Sequence, residues 1–255
     1  MRISWISMTP VKALALEHPD EVQLLEDGVR GDRRFYLVDE RNLLVSNKGR
    51  RGPLQLVHAG YDDPTNELTL TFADGARVSG VAERRETITT TFHHAARPAR
   101  VVPGPWDDAL SELLREPVRL VAAEHTAPDR GRGGATTLLA AASLGALANE
   151  LSVERLDERR FRMNFVIEGP DAHAEDEWIG RRIRVGEAVV VPQGHVGRCA
   201  ITTQDPDTGV ADLDTLKAIA AYRGELERTE PLPFGIHAAV AEPGRVRRGD
   251  AVTLL

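Results

Sequence analysis

One thiol serves this chain of 255 residues: Cys199, in the stretch "QGHVGRCAITTQDPDTG". A thiolate can act as a nucleophile or as a soft metal ligand, and a neighbouring cation such as Arg198 favours the deprotonated form. Gly194 and Gly197 leave room for a ligand to approach the backbone before the thiol. If Ala200–Thr203 is extended, Cys199, Ile201 and Thr203 point one way. An inert, buried thiol accounts for the same residues. His195, four residues before Cys199, raises zinc binding or a Cys–His hydrolase. However, no second cysteine exists, the other histidines (His93–His94 among them) lack ligand spacing, and no nucleophile motif surrounds Cys199.

Three basic groups could complement such a centre. In "ERRFRMNFVIEG", a strand over Phe161–Ile167 would put Arg160, Arg162 and Asn164 on one face, and Phe161, Met163, Phe165 and Ile167 on the other. Two guanidiniums beside an amide suit a phosphate, because arginine offers paired, charged donors. The solvated face of an ordinary strand would carry the same residues. Arg30, Arg33 and Arg34 lead into the apolar run of "VRGDRRFYLVDE", and Lys12 stands in "MTPVKAL". None of these groups is specific alone.

The elements that must position them are short. Strand patterns occur at Phe35–Val38, Leu54–His58, Glu67–Phe72, Thr87–Phe92, Val118–Ala122, Phe161–Ile167, Arg182–Val191, Ala200–Thr203, Ile236–Ala241 and Ala251–Leu255. "ELTLTFADGARVSG" predicts a hairpin turning at Asp74-Gly75. Helices are expected at Trp106–Arg115, at Thr137–Leu151, at Leu213–Tyr222 behind an Asp212 cap, and as a short turn near Ala174–Trp178. "RIRVGEAVVV" and "GRVRRGDAVTL" resemble each other and suggest two barrel hairpins. The fold class is therefore mainly β with inserted helices (α+β), and "ARPARVVPGPW" marks a soft boundary.

Composition narrows the function. A net charge of −7 argues against nonspecific nucleic-acid binding. A single cysteine allows no intramolecular disulfide, and no apolar run approaches the ~20 residues of a membrane span. The expectation is a soluble, cytoplasmic protein.

In order along the chain, "MTPVKAL", "GDRRFYLVDE" and "TLLAAASLGALANEL" are similar to the β-barrel domain that precedes a MOSC domain, the C-terminal domain type of molybdenum-cofactor sulfurase. "RFRMNFVIEG", "AEDEWIGRRIRVGEAVV", "GRCAITTQDPDTG" and "PFGIHAAVAEPGRVRRGDAVTLL" resemble the MOSC domain itself. The resemblance implies a MOSC-type β-barrel over 106–255, packed with an N-terminal β-barrel domain over 1–105. It also implies molybdenum cofactor (Mo-molybdopterin), in which a protein cysteine adds a sulfur ligand to a metal held by the pterin dithiolene. Cys199 falls on that position, as metal ligand and catalytic residue. Lys12, Arg34, Arg162 and Asn164 match phosphate and pterin contacts, and Thr136 and Thr137 lie near a further contacting pair. Gly197 and Arg198 lie in the cysteine loop, where backbone contacts are expected. This chain departs from the pattern at Val196, where relatives often keep a second cysteine, and at Gly197 and Ala13, where serine is common.

The amidoxime-reducing branch of the family implies an oxidoreductase that takes oxygen from small N-hydroxylated substrates. One cysteine cannot hold an iron–sulfur cluster, so a separate electron-donor protein is implied, with no nucleic-acid or membrane partner. The alternatives are a non-catalytic carrier of the cofactor or of sulfur, as a persulfide on Cys199, and a family member recruited to other biosynthetic chemistry.

Overall fold

The computed structural model describes residues 1–92, 95–124, 129–224, 227 and 229–255; His93 and His94 lie outside them. The architecture is mainly β with a few inserted helices, as the patterning predicts. The largest sheet runs Arg2–Ile6, Phe165–Glu168, Thr136–Ala140, Pro233–Glu242, Ala188–Gly197, Ile183–Val185, Val252–Leu254. Its two edges meet: Arg2 bridges Ala251, and the Val252 N–H donates to the Met1 carbonyl at 2.9 Å. Edge pairing of this kind satisfies backbone groups that an open sheet would expose. A five-stranded sheet runs Leu44–Val45, Phe35–Val38, Arg119–Ala123, Ala95–Val101, Thr87–Phe92, and Leu43 bridges Thr91 across its edges. Two three-stranded sheets complete the set. One is a meander of His58–Asp62, Glu67–Thr71 and Arg77–Val81; the other pairs Glu21–Leu25 with Gly28–Val29 and Gly244–Arg247.

The chain crosses between its halves. Arg2–Ile6 and Glu21–Leu25 pair with strands from the C-terminal half, whereas Arg119–Ala123 completes the N-terminal sheet. Lys12 lies between those two early strands, so the crossing brings it to the C-terminal half. Separate apolar clusters form around Leu37, Leu68, Leu70 and Trp106, inside the closed sheet around Ile3, Phe165 and Ile236, and beneath the helices around Leu147, Phe161 and Phe234. Each such fully buried side chain contributes about 1.5–3 kcal/mol.

The Asp74-Gly75 hairpin forms as read: Gly75 takes φ +86°, and Asp74 Oδ1 accepts the Ala76 N–H at 2.9 Å. Helix α1 (Pro105–Leu114) and the turn at Ala174–Trp178 also fall where expected. Other readings are corrected. Thr137–Leu151 is not one helix: Thr136–Ala140 is a central strand, and helix α2 (Ala141–Glu150) follows it. The strand is buried between Phe165–Glu168 and Pro233–Glu242, and that packing overrides the weak helical preference of its leucines and alanine. Leu54–His58 is mostly the end of a 3₁₀ segment, Gly49–Leu56. Helix α3 (Thr215–Arg223) starts after Asp214, while Asp212 pairs with Arg160 instead of capping it. Of the two look-alike segments, only Ile183–Gly197 makes its own hairpin. Gly244–Arg247 pairs with Glu21–Leu25, and Val252–Leu254 pairs with Ile183–Val185.

No helix among the described residues is long and apolar enough to cross a membrane.

Candidate functional site

Cys199 opens onto a cavity of about 480 Å³ between the two halves of the chain. The thiol is half-buried. Its residue precedes a 3₁₀ turn, Ala200–Thr203, rather than a strand, so the expected shared face of Cys199, Ile201 and Thr203 does not exist. The Cys199 carbonyl accepts from the Thr202 N–H and hydroxyl, both at 3.1 Å. That bonding holds the chain in a tight turn immediately after the sulfur.

Arg198 anchors the loop from below. Its Nε donates to the Phe234 carbonyl at 2.9 Å, Nη1 donates to the Phe161 carbonyl at 2.9 Å, and Nη2 reaches Met163 Sδ at 2.7 Å. The guanidinium also lies over the Phe161 ring, 5.3 Å from its centroid. Its donors are thus spent inside the protein. Burial, reinforced by Arg130, presses its pKa down to about 9, opposed by Cys199 and Glu230. The loop backbone is committed too. The Gly197 N–H donates to Glu230 Oε2 at 2.8 Å, and the Arg198 N–H to the Leu232 carbonyl at 3.1 Å.

The reading of Gly194 and Gly197 as room for a ligand is corrected. A Cβ on Gly197 would stand 2.8 Å from the Pro231 carbonyl oxygen, and one on Gly194 would stand 2.5 Å from Thr229 Oγ1. Both glycines make space for the protein's own segment 229–231. His195 is also set apart from the thiol. Its buried Nε2 faces Asp176 Oδ1 at 3.4 Å, and its residue is not part of the cavity wall.

The basic groups converge from three places. Lys12 Nζ pairs with Asp129 Oδ2 at 2.7 Å and lies 5.3 Å from the Phe92 ring centre. Burial lowers its pKa, opposed by Asp129 and aided by Arg33 and Arg162. Arg162 sits in the left-handed region at φ +52°, at the end of the 3₁₀ turn Glu158–Phe161. The predicted strand face of Arg160, Arg162 and Asn164 is therefore replaced by a turn followed by the strand Phe165–Glu168. Turn formation has a local cause: Asp157 Oδ1 accepts the Arg159 N–H at 2.8 Å and caps it. Arg162 and Asn164 reach the cavity even so. Arg162 donates to the Leu14 carbonyl at 2.6 Å, and burial followed by Arg33 pushes its pKa down to about 9.

Asn164 is a buried clamp. Its Oδ1 accepts from the Thr137 N–H and hydroxyl, both at 3.2 Å, and from the Thr136 hydroxyl at 3.5 Å. Its Nδ2 donates to Asp32 Oδ2 at 3.0 Å and to the Ser7 carbonyl at 3.2 Å. Thr137 lines the cavity; Thr136 is buried behind it. Arg34 lies elsewhere. Its Nη1 pairs with Asp63 Oδ1 at 3.0 Å, and its guanidinium covers the Tyr61 ring at 4.9 Å. Arg33 takes the place in the cavity instead, paired with Asp32 and donating to the Arg162 carbonyl at 2.8 Å. Arg33 has a left-handed backbone, φ +48°, and the two adjacent arginines lie in different places.

Sequence reasoning missed Asn47, Asp129, Arg130 and Glu230. They lie in loops without periodic patterning, and nothing in their spacing marks them. In all, seven cationic and three carboxylate residues line this cavity. Such an excess of cations, with Lys12 and Arg162 desolvated, suits a multiply charged anion such as a phosphate. Among the described residues no three His, Cys, Asp or Glu side chains stand together as a metal cage. A metal at Cys199 would take its other ligands from a bound group. Asn47, buried with neither amide atom partnered among the described residues, adds unused polar capacity to the same wall. The donor set thus fits an anionic, soft-ligand metal cofactor.

A mainly β chain with a closed sheet, and one thiol after the strand Ala188–Gly197 facing a cation-rich cavity, defines a barrel protein with a candidate anion site. The chain belongs to the MOSC domain family, whose model matches residues 125–253. It is 36% identical over 124 residues to mitochondrial amidoxime-reducing component 1 of Mus musculus, which covers 46% of this chain and 36% of that protein. It is 39% identical over 109 residues to mitochondrial amidoxime reducing component 2 of Homo sapiens, covering 39% of this chain and 31% of that one. The matches thus span about a third of the length of these relatives. Among solved structures, the YuaD protein of Bacillus subtilis aligns over 98% of this chain and 93% of that one, at 11% identity and a TM-score of 0.46.

Proposed function

We propose that the cavity binds molybdenum cofactor, with Cys199 as the protein's own metal ligand, and that the chain reduces N-hydroxylated bases. The observation that carries this reading is the half-buried thiol on the same wall as Lys12, Arg33 and Arg162. When bound, the cofactor supplies a two-electron centre able to take an oxygen atom. The net reaction consumes an amidoxime, two electrons and two protons, and yields an amidine and water.

The chain's residues do the rest. Lys12, Arg33 and Arg162 hold the phosphate, and its charge relieves the penalty that burial and mutual repulsion place on Lys12 and Arg162. Arg198 and the 3₁₀ turn fix the backbone on both sides of Cys199, so little backbone freedom is lost on ligation. The Asn164 clamp fixes the wall that carries Thr137. Val196 fills the position of a second cysteine with apolar packing, which leaves Cys199 as the one thiol at the cavity. Electrons come from a separate donor protein.

The test is metal and pterin content of the purified protein beside Cys199→Ser, with turnover of an amidoxime on an artificial reductant. Stoichiometric molybdenum lost in the variant, with turnover in the parent protein, is expected. Full molybdenum and no turnover points to a cofactor carrier. A metal-free chain about 32 Da heavier at Cys199 points to a sulfur carrier.

A further inference from the structure

The short strand Leu44–Val45 delivers Ser46, Asn47 and Lys48 to the wall of the Cys199 cavity. The Asn47 side chain is fully buried, and neither Nδ2 nor Oδ1 has a hydrogen-bond partner among the described residues. A buried primary amide can make about four hydrogen bonds, and leaving them unmade opposes folding. The contrast with Asn164 is direct, because that amide is satisfied on both atoms by the protein.

The loop that carries Asn47 is held from the side of the thiol. Gln204 Nε2 lies 3.5 Å from the Gly49 carbonyl, and Gln55 Nε2 donates to Gln204 Oε1 at 3.0 Å. Gln204 closes the turn that begins at Cys199. The fold thus places an unsatisfied donor–acceptor pair at a set position relative to the sulfur.

We propose that Asn47 reads a flat ligand edge that presents a donor and an acceptor side by side. An amide accepts from the donor through Oδ1 and donates to the acceptor through Nδ2. Two groups share that chemistry: the amide edge of a pterin ring, and the head of an amidoxime, with its NH₂ beside the oxime nitrogen. The assignment rests on the cofactor and substrate reading above.

The test compares the parent protein with Asn47→Leu, which keeps the volume, and Asn47→Ser, which keeps a smaller polar group. Three quantities are read: thermal unfolding of the metal-free protein, affinity of that protein for added molybdenum cofactor, and KM for benzamidoxime once loaded. Metal-free Asn47→Leu should melt at or above the parent, because an unpaired buried amide has been removed. If the partner is the pterin edge, cofactor affinity falls about tenfold for each hydrogen bond lost. If the partner is the substrate, cofactor affinity holds and KM rises by a similar factor. The proposal is overturned if affinity and KM both stay within about twofold. It is equally overturned if both variants destabilise the metal-free protein, because the amide then serves the fold. A parent protein that takes up no cofactor defeats the underlying reading; a parent that loads beside unaffected variants defeats this assignment alone.

Discussion

Gly52→Ala should loosen the cysteine loop without touching any residue of the site. Gly52 lies in the 3₁₀ segment Gly49–Leu56, and its backbone packs against Gly209, the last residue of the turn Asp205–Gly209. A Cβ on Gly52 would stand 1.9 Å from the Gly209 carbonyl oxygen and 2.8 Å from its carbon. Ordinary contacts need about 3.5 Å, and the blocking atoms are backbone, so no rotamer change relieves the overlap. The turn resists moving. Asp205 Oδ1 accepts the Asp207 and Thr208 N–H groups at 3.0 and 2.9 Å, and the Gly209 N–H donates to the Asp205 carbonyl at 2.8 Å. Overpacking of this kind costs about 1–3 kcal/mol, which lowers the melting temperature by about 2–4 °C per kcal/mol in a chain of this size. Gly60→Ala is the control: it lies in a strand with open space around its Cβ and should be neutral or slightly stabilising. The displaced turn leads back to Ala200–Thr203, so Cys199 in Gly52→Ala should also react faster with an aromatic disulfide. Melting of the two variants within about 1 °C of each other would refute the backbone-contact argument.

Three further perturbations probe the same fold. Burial raises the Glu175 pKa from 4.5 to about 7, against Ser143 hydroxyl bonds at 2.9 and 3.1 Å. Between pH 4.5 and 7 the folded state holds the extra proton, so this group lowers stability as pH rises through that window. Glu175→Gln should accordingly gain up to about 3 kcal/mol at pH 8 and almost nothing at pH 4.5 in urea titrations; an equal gain at both would contradict the sign. His173, lowered to about 4 chiefly by burial, works in the opposite direction between pH 4 and 6.5, so the steepest loss belongs at the upper end of the Glu175 window. Arg198→Lys cannot reproduce the fork that serves the Phe161 and Phe234 carbonyls and should cost about 2–4 kcal/mol in unfolding free energy; a loss below about 0.5 kcal/mol would show that the fork is dispensable. Arg162→Met keeps the stem and removes a desolvated cation, so phosphate or cofactor affinity should fall at least about tenfold, while Arg34→Met, paired with Asp63 outside the cavity, should leave it unchanged.

Local chemistry made several features legible. The β-rich class followed from short alternating runs such as "ELTLTF", and the Asp74-Gly75 turn followed from backbone preference alone. The ordered motifs around Cys199 pointed to the family, and Lys12, Thr137, Arg162, Asn164 and Cys199 do meet at one cavity. Alternation puts Arg162 and Asn164 on one strand face, but they reach that wall from a turn. Asp157 capping and a left-handed Arg162 are local events that alternation cannot anticipate.

What the sequence by itself determined is which groups were available: one thiol, an excess of arginine over lysine, and strand patterns with their turns. Tertiary structure alone decided which of those groups share a space. Arg33 rather than Arg34 faces the cavity, while Arg34 pairs with Asp63. Asp129 and Glu230 reach it from loops, Lys12 reaches it because the first strands pair with the last ones, and Asn47 was invisible until burial left its amide unpaired among the described residues. The physical reason is that side-chain type is encoded residue by residue, whereas desolvation and proximity arise from segments far apart in the chain, and those two quantities set what a charge or an amide can do.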